Sequence, residues 1–374
     1  VTHHIVIGAG IAGAAAAWKL AVRGEQVTVL ERTTPANRLG SSHGSARIFR
    51  YAYTDPLYAR LAIEALSEWR ELERLSSTTL LTETGSVDFG TGRDPRVLAE
   101  VFESLGVEHE LLDPDAARAR WPQFAFDSPV LWHGDAGVLD PSTAVEAMLE
   151  RATATGNARL LTDWEVASVE RASTGSFRVT STSAEAVVGD RVIVAAGGWL
   201  PDLLPGLGLP DAFIRAFPPL IVRQEQAFHL PYRDEYDQGW PTFIHKDPSG
   251  NTYGLPGGRD AEDRGQKFAF FNGGDIIPSA RAQEGRITEQ MRARVVDYAR
   301  RYLPGLVPEP YAETTCLFTS TPTEDFVIDE SDGVVIVSAC SGHGAKFAPL
   351  LGEFAASLAT GTGAVPERFR VGAV

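Results

Sequence analysis

Cysteine is nearly absent from this chain of 374 residues, which has Cys316 and Cys340 and no others. A disulfide framework is thereby excluded, at most one bridge could form, and such usage fits a reducing compartment. Positive charge is also short. The 34 Lys and Arg stand against 49 Asp and Glu, a formal net charge of −15, and a field of that sign repels phosphate backbones. Nucleic acid is therefore not expected as a partner. No apolar stretch approaches the roughly 18 residues of a membrane span. The eight histidines are scattered, with His3-His4 the one close pair, and neither HExxH nor CxxC occurs, so no metal is expected. Val1-Thr2-His3-His4 leads straight into an apolar triplet without the basic segment or cleavage pattern of an export signal. The expectation is a soluble, cytoplasmic protein.

Hydrophobic residues make up 44% and charged residues 22%, the proportions of an ordinary globular chain. At this length two domains are expected. The first forty residues are the most legible. Ile5-Val6-Ile7 reads as a buried strand, Gly8-Ala9-Gly10-Ile11-Ala12-Gly13 opens an Ala-rich helix to about Val22, Gly24 ends it, and Gln26 to Leu30 gives a second strand tipped by Glu31. Strand, glycines, helix, strand and acid form the dinucleotide-binding fingerprint in its required context. Gly8 serves the tight turn, Gly10 lets the backbone approach a pyrophosphate, and Gly13 lets helix and strand meet closely. The helix N-terminus offers N–H groups to the phosphates, and Glu31, 21 residues after Gly10, is placed to accept from ribose hydroxyls. The motif alone does not separate NAD from FAD.

Further along, residues 57–75 read as an amphipathic helix with Leu61, Ala65, Trp69 and Leu72 on one face. Residues 85–92 read as a strand and turn, and a Pro- and Gly-punctuated region leads to a helix near 142–155. Residues 190–198 form a second buried strand ending in glycines. Residues 218–271 alternate apolar and polar positions as an antiparallel sheet does. Helix 287–303 carries Arg292, Arg294, Arg300 and Arg301, which read better as a solvated face than as a binding patch. Residues 334–337 form a last strand, followed by Ser341-Gly342-His343-Gly344 and a helix over 346–359. There is no repeat and no low-complexity tract.

Gly40-Ser41-Ser42-His43-Gly44 matches the nucleophile-elbow pattern, but that motif needs a strand before it and a helix after it. The segment 33–39 is polar and contains proline, so the serines read instead as phosphate or flavin neighbours. The stretch from Ser42 to Tyr53 sets Arg47 and Arg50 three apart beside the nucleotide site. Surface charge and recognition of an anion or carboxylate are both open readings of that pair. Near the other end Gly342, Gly344 and Lys346 precede a helix, an arrangement able to stabilise negative charge; an ordinary strand-to-helix turn is the alternative.

These segments together resemble the monomeric sarcosine oxidase and N-methyltryptophan oxidase family of FAD-dependent amine oxidases, within the D-amino acid oxidase-like superfamily. The resemblance spans nearly the whole chain and rests on Gly8 to Gly13, on His43 to Tyr53, on Thr315-Cys316-Leu317-Phe318-Thr319, on Thr321 to Phe326 and on Ser341 to Phe347. It implies FAD held covalently by a thioether between the flavin 8α-methyl and the sulfur of Cys316. Taken alone, Cys316 would be a small buried hydrophobe, and Cys340 matches no attachment position. The resemblance further implies that Arg50 and Lys346 hold a substrate carboxylate and that Arg47 lies near the flavin face. It makes Lys267 the lysine that activates oxygen, although by itself that residue reads as an exposed strand lysine. The implied cofactor contacts are Gly8, Gly10, Ile11, Ala12, Gly13, Glu31 and Arg32, then Ser41, Ser42, His43 and Arg47, then Val166 and Gly197. Near the C-terminus they are Cys316, Gly342, His343, Gly344 and Lys346.

Two positions depart from the family. Where sarcosine oxidase has a histidine shortly after the oxygen-activating lysine, this chain has Phe271 or Asn272. Where it has a tyrosine two residues after the linked cysteine, this chain has Phe318. With Tyr253, these residues would line the amine side of the pocket, and phenyl rings make that side more apolar. The expected activity is oxidation of the C–N bond of an N-substituted amino acid to an imine, with dioxygen reduced to hydrogen peroxide and sarcosine not the best substrate. A fructosyl amino acid oxidase with the same flavin and carboxylate clamp is the alternative. An NAD-dependent dehydrogenase or a non-catalytic flavin scaffold would be different classes altogether. The expected architecture is α/β, from a Rossmann-like FAD-binding domain (1–85, 145–215 and 312–374) and a mainly antiparallel substrate domain (86–144 and 216–311), in a monomer.

Overall fold

The computed structural model describes residues 1–173, 175–248 and 250–373. Strand His3–Ile7 (β1) is buried from His4 onward, the pattern of a strand covered on both faces. It pairs in parallel with Gln26–Leu30 (β2) on one side and with Arg191–Val194 on the other. Ala158–Leu161 extends the sheet beyond β2 and Val334–Ser338 extends it beyond Arg191–Val194, both in parallel. Val327–Ser331 closes that second edge in antiparallel fashion. The chain leaves β1 first to one side and later to the other, and such a reversal opens a crevice at the carboxyl ends of the strands.

Helix Ile11–Val22 (α1) covers one face of this sheet. Gly13 to Ala17 are all buried, and with no side chain larger than a methyl there the next layers come very close. A Cβ on Gly13 would lie 1.9 Å from the Gly8 carbonyl oxygen, and one on Gly352, in helix Ala348–Thr360, would lie 2.5 Å from the Ala15 carbonyl carbon. This last helix starts two residues after the position read from sequence, because Gly344–Phe347 forms a 3₁₀ turn ahead of it. Helix Pro56–Ser76 (α2) buries Leu61, Ala65, Trp69 and Leu72. Four helices begin alike: Asp55, Asp94, Asp113 and Asp140 each accept a backbone N–H from the first turn, with a proline directly after the acid. The acid satisfies an orphan donor and the proline removes another.

The second sheet has nine strands among the described residues. Ile221–Pro231, Gly265–Phe270, Gly250–Pro256 and Thr242–Asp247 follow one another in antiparallel pairs. Thr242–Asp247 then runs parallel to Ser86–Phe89. Ala312–Ser320 lies along Ile221–Pro231, with Glu225 opposite Cys316. Phe89, Phe124, Phe126, Phe228, Phe243 and Phe268 are fully buried in its aromatic core. Two helices in this half, Pro95–Leu105 and Pro114–Arg120, fall where only punctuation was read from the sequence. No helix among the described residues is long and apolar enough to cross a membrane.

The closeness of α1 to the last helix makes Gly352→Ala an overpacking change, expected to cost about 1–3 kcal/mol and to lower the denaturation midpoint. Gly206→Ala, whose added carbon would have nothing within 4 Å, should stay within about 0.5 kcal/mol of the parent. Equal midpoints for the two variants would contradict the packing argument.

Candidate active site

One cavity of about 510 Å³ runs from the β1–α1 turn into the second sheet. At its nucleotide-type end, α1 has no acidic residue in its first turn, so nothing on the helix itself opposes an anion there. A Cβ on Gly10 would meet only the Ser42 hydroxyl within 4 Å, which leaves the backbone open to a ligand. Ile11 donates its N–H to Ser42 Oγ at 2.9 Å. Glu31 is buried at the tip of β2 and receives the N–H groups of Ala9 at 2.8 Å and Thr33 at 3.1 Å. This cradle fits an adenine dinucleotide: open backbone and a helix N-terminus with no acid in its first turn for the pyrophosphate, and a fixed carboxylate on the cavity wall for ribose.

The loop from Ser41 to Arg47 ties the cradle to Cys316. Ser41 donates to the Leu317 carbonyl at 2.7 Å. The Arg47 guanidinium donates to the carbonyls of Ser41, His43 and Ala46 at 2.8–2.9 Å and lies 3.6 Å from Cys316 Sγ. Lys267 Nζ donates to the same Ala46 carbonyl at 3.4 Å. The Gly40–Gly44 segment is loop between β2 and strand Arg47–Phe49, with neither the strand before it nor the helix after it that a nucleophile elbow requires.

A second group of cations faces the cavity around Tyr53. The Arg50 guanidinium carbon lies 4.9 Å from the ring centroid and Lys346 Nζ 5.6 Å from it. Arg50 donates to the Ala52 carbonyl and Lys346 to the His343 carbonyl at 2.9 Å. Trp69 of α2 fixes the backbone of Lys346, its Nε1 donating to the Lys346 carbonyl at 2.7 Å. The rings of Phe271 and Phe318 lie 5.6 Å apart on the cavity wall. Asn272 does not line it; its side chain donates to Glu324.

Burial governs the charges. It lowers Lys267 to about 8, with the Arg47 guanidinium adding to the effect. It lowers His43 to about 4 and His343 to about 3, helped by Arg47 and Lys346 respectively, so both imidazoles are neutral. Burial and the neighbouring Arg50 take Lys346 well below the ordinary lysine range. Burial raises the Cys340 thiol. Glu225 is pushed up to about 7 by burial; its Oε2 receives the Gly274 N–H at 3.1 Å and its Oε1 has no hydrogen-bond partner among the described residues.

Of the candidate site residues, all but Gly13 and Asn272 line this cavity: Gly8, Gly10, Ile11 and Ala12, Glu31 and Arg32, Ser41, Ser42, His43 and Arg47, Arg50, Val166, Gly197, Tyr253, Lys267, Phe271, Cys316, Phe318 and the 342–346 turn. Gly13 instead packs against Gly8. Lys267 is 6% exposed rather than a surface lysine. The structure adds Tyr53, Arg93, Glu225, Lys246 and Cys340 to the wall. Among the described residues no group of His, Cys, Asp and Glu stands ready to hold a metal ion.

Comparison with known proteins adds three findings. A model of the FAD dependent oxidoreductase family matches residues 3–358. A monomeric sarcosine oxidase of Streptomyces avermitilis is 32% identical over 380 aligned positions, covering 97% of this chain and 94% of the relative. An N-methyl-L-tryptophan oxidase of Salmonella newport is 31% identical, covering 96% and 94%. The solved structure of NikD, described as an unusual amino acid oxidase essential for nikkomycin biosynthesis, has the same fold, with a TM-score of 0.84 at 24% identity over 99% of this chain and 98% of that one.

Glu225 makes stability depend on pH. Its carboxyl titrates near 7 in the folded protein against an ordinary 4.5, so the folded state keeps a proton that the unfolded chain has released. Stability is therefore lost as pH rises from about 4.5 to about 7, by about 3 kcal/mol in all. Glu225→Gln keeps the acceptor for Gly274 and removes the charge. Denaturation of the flavin-loaded protein at pH 5 and pH 8 should show the variant gaining on the parent at pH 8 alone. A constant difference between the two proteins would refute the buried-acid account.

Proposed function

The chain belongs to the FAD dependent oxidoreductase family, with monomeric sarcosine oxidases and N-methyl-L-tryptophan oxidases among its relatives, and we propose that it oxidises an N-substituted amino acid. The reading has the carboxylate bound by Arg50 and Lys346, the FAD linked through Cys316, and dioxygen reduced to hydrogen peroxide. The observation that carries it is the pair of buried basic groups, Arg50 and Lys346, beside Tyr53 in the same cavity as the dinucleotide cradle. That the Streptomyces relative is a monomeric sarcosine oxidase supports a monomer here too.

FAD, held by the β1–α1 turn, Glu31 and the Ser41–Arg47 loop, would supply the two-electron chemistry at the carbon next to nitrogen. The protein's part is to place that carbon and set the charge around it. Lys346 donates to one backbone carbonyl and Arg50 to another, and Arg50 stands 3.9 Å from the Asp88 carboxylate. A substrate carboxylate would supply counter-charge in a geometry suited to the guanidinium fork. Fixing one end of the substrate in this way orients the reacting bond. Phe271 and Phe318 give the amine side a dry wall, which a substituent bulkier than the single methyl of sarcosine covers better. No side chain is required as base if the neutral amine reacts. Lys267, which donates to the Ala46 carbonyl that Arg47 also binds, would supply positive charge to oxygen as it becomes anionic.

Purified protein should release peroxide with N-methyl and cyclic amino acids, tested beside primary and glycated ones. Equal rates with primary amines, or none with secondary amines, would overturn the reading. Acid precipitation tests the linkage: flavin in the pellet, and in the supernatant for Cys316→Ser, is expected, while flavin in the supernatant of the parent sinks it. Because Lys267 is lowered from 10.5 to about 8, its charge is present below about pH 8 and lost above. Flavin reoxidation should slow as pH rises through 8, and Lys267→Met should slow it about a hundredfold or more with little effect on anaerobic reduction. Equal slowing of both half-reactions would refute the oxygen role.

A further inference from the structure

Two more cations stand beside the Arg50–Lys346 pair, and the mechanism above does not use them. Strand Ser86–Phe89 carries Asp88, and the turn after it brings Arg93 back so that its Nε lies 3.0 Å from Asp88 Oδ1. Arg50 reaches the same oxygen at 3.9 Å, and both guanidinium groups donate to the Ala52 carbonyl. The parallel neighbour of this strand, Thr242–Asp247, sets Ile244 opposite Asp88. Side chains two apart share a face, so Lys246 projects on the Ile244 side, and both residues line the cavity.

The arrangement is built rather than incidental. Gly92 donates its N–H to the Lys246 carbonyl at 2.8 Å, locking the turn that delivers Arg93 onto the residue that delivers the ammonium. Gly90 makes that approach possible: its φ is +108° and a Cβ there would lie 2.1 Å from the same carbonyl oxygen. Arg93 is nine-tenths buried. Lys246 Nζ has neither a hydrogen bond nor an ion pair among the described residues. Burial first, then Arg93 and Arg50, lower Lys246, while Glu324 and Asp88 oppose them. Four cations thus share the region with two carboxylates, and Glu324 is exposed and already receives the Asn272 amide. One substrate carboxylate, taken by Arg50 and Lys346, leaves the Lys246 amine still without an anionic partner among the described residues.

We infer that Arg93 and Lys246 form a second anion seat beside the Arg50–Lys346 clamp, so that the preferred substrate is a secondary amine bearing two carboxylates. The inference rests on reading the site as that of an N-substituted amino acid oxidase. The second carboxylate can come from the amino acid side chain or from the group on nitrogen, and the two sources are separable.

The test uses the flavin-loaded enzyme and peroxide release. N-methyl-L-aspartate and N-methyl-L-glutamate place the second carboxylate on the carbon side, with N-methyl-L-alanine as control. Iminodiacetate places it on the nitrogen side, with sarcosine as control. At least one diacid should exceed its control about tenfold or more in kcat/KM. Lys246→Met should reduce that ratio by about tenfold or more, and Lys246→Arg should restore most of it. Retention of the flavin spectrum in both variants checks folding. If no diacid exceeds its control, or if the ratio survives in Lys246→Met, the second seat is overturned while oxidation of the monocarboxylates leaves the functional reading standing. Peroxide from none of the amines overturns both.

Discussion

Arg50, Arg93 and Lys346 are each at least nine-tenths removed from water, and among the described residues Asp88 is the one buried carboxylate in direct reach of any of them. A cation withdrawn from solvent costs several kcal/mol unless partners replace the lost water. Part of that replacement is backbone: the Ala52 carbonyl receives both guanidinium groups and the His343 carbonyl receives the ammonium. The rest is left for a ligand, and the requirement for an anion there shapes what surrounds it. Asp88 must sit at the end of its strand, the turn carrying Arg93 must fold back on Lys246, and α2 must hold the Lys346 backbone through Trp69.

A single loop joins this charge to the nucleotide cradle. Ser42 caps the start of α1, Ser41 binds the strand that bears Cys316, and Arg47 gathers the carbonyls of the loop while reaching the sulfur. Ser45 bonds to Asp260, which also faces Lys267. Displacement of the loop would therefore move the pyrophosphate site, Cys316 and the lysine together. The parallel sheet fixes one side of the loop and the antiparallel sheet the other, which is how two unlike layers produce one cavity.

How far the molecule could be read in advance follows the range of the interactions. The fingerprint turn is local: glycine spacing, flanking strands and Glu31 lie within one short segment, and the structure places them on one wall. The buried face of α2 was equally legible, since Leu61, Ala65, Trp69 and Leu72 fall at helical spacing. Helices Pro95–Leu105 and Pro114–Arg120 were missed although Asp94-Pro95 and Asp113-Pro114 carry the same start signal as Asp140-Pro141. There the prolines read as punctuation. Lys267 read as exposed because strand alternation says nothing of the layer that covers it. Arg93 and Lys246 were invisible for a deeper reason. Their proximity is created by the parallel pairing of two distant strands, and no local pattern records which strands will meet. Glu225 is likewise raised by its burial in the second sheet, where Ala312–Ser320 pairs alongside it.

The central claim, that buried cations select the substrate by its carboxylate, is tested most directly by changing that group alone. kcat/KM for peroxide release should be measured with N-methyl-L-alanine and with its carboxamide at one pH below 8, each value referred to the neutral-amine fraction of that substrate. The account predicts a loss of about a hundredfold or more for the amide, which leaves Arg50 and Lys346 without a counter-charge. Equal values for acid and amide would contradict it.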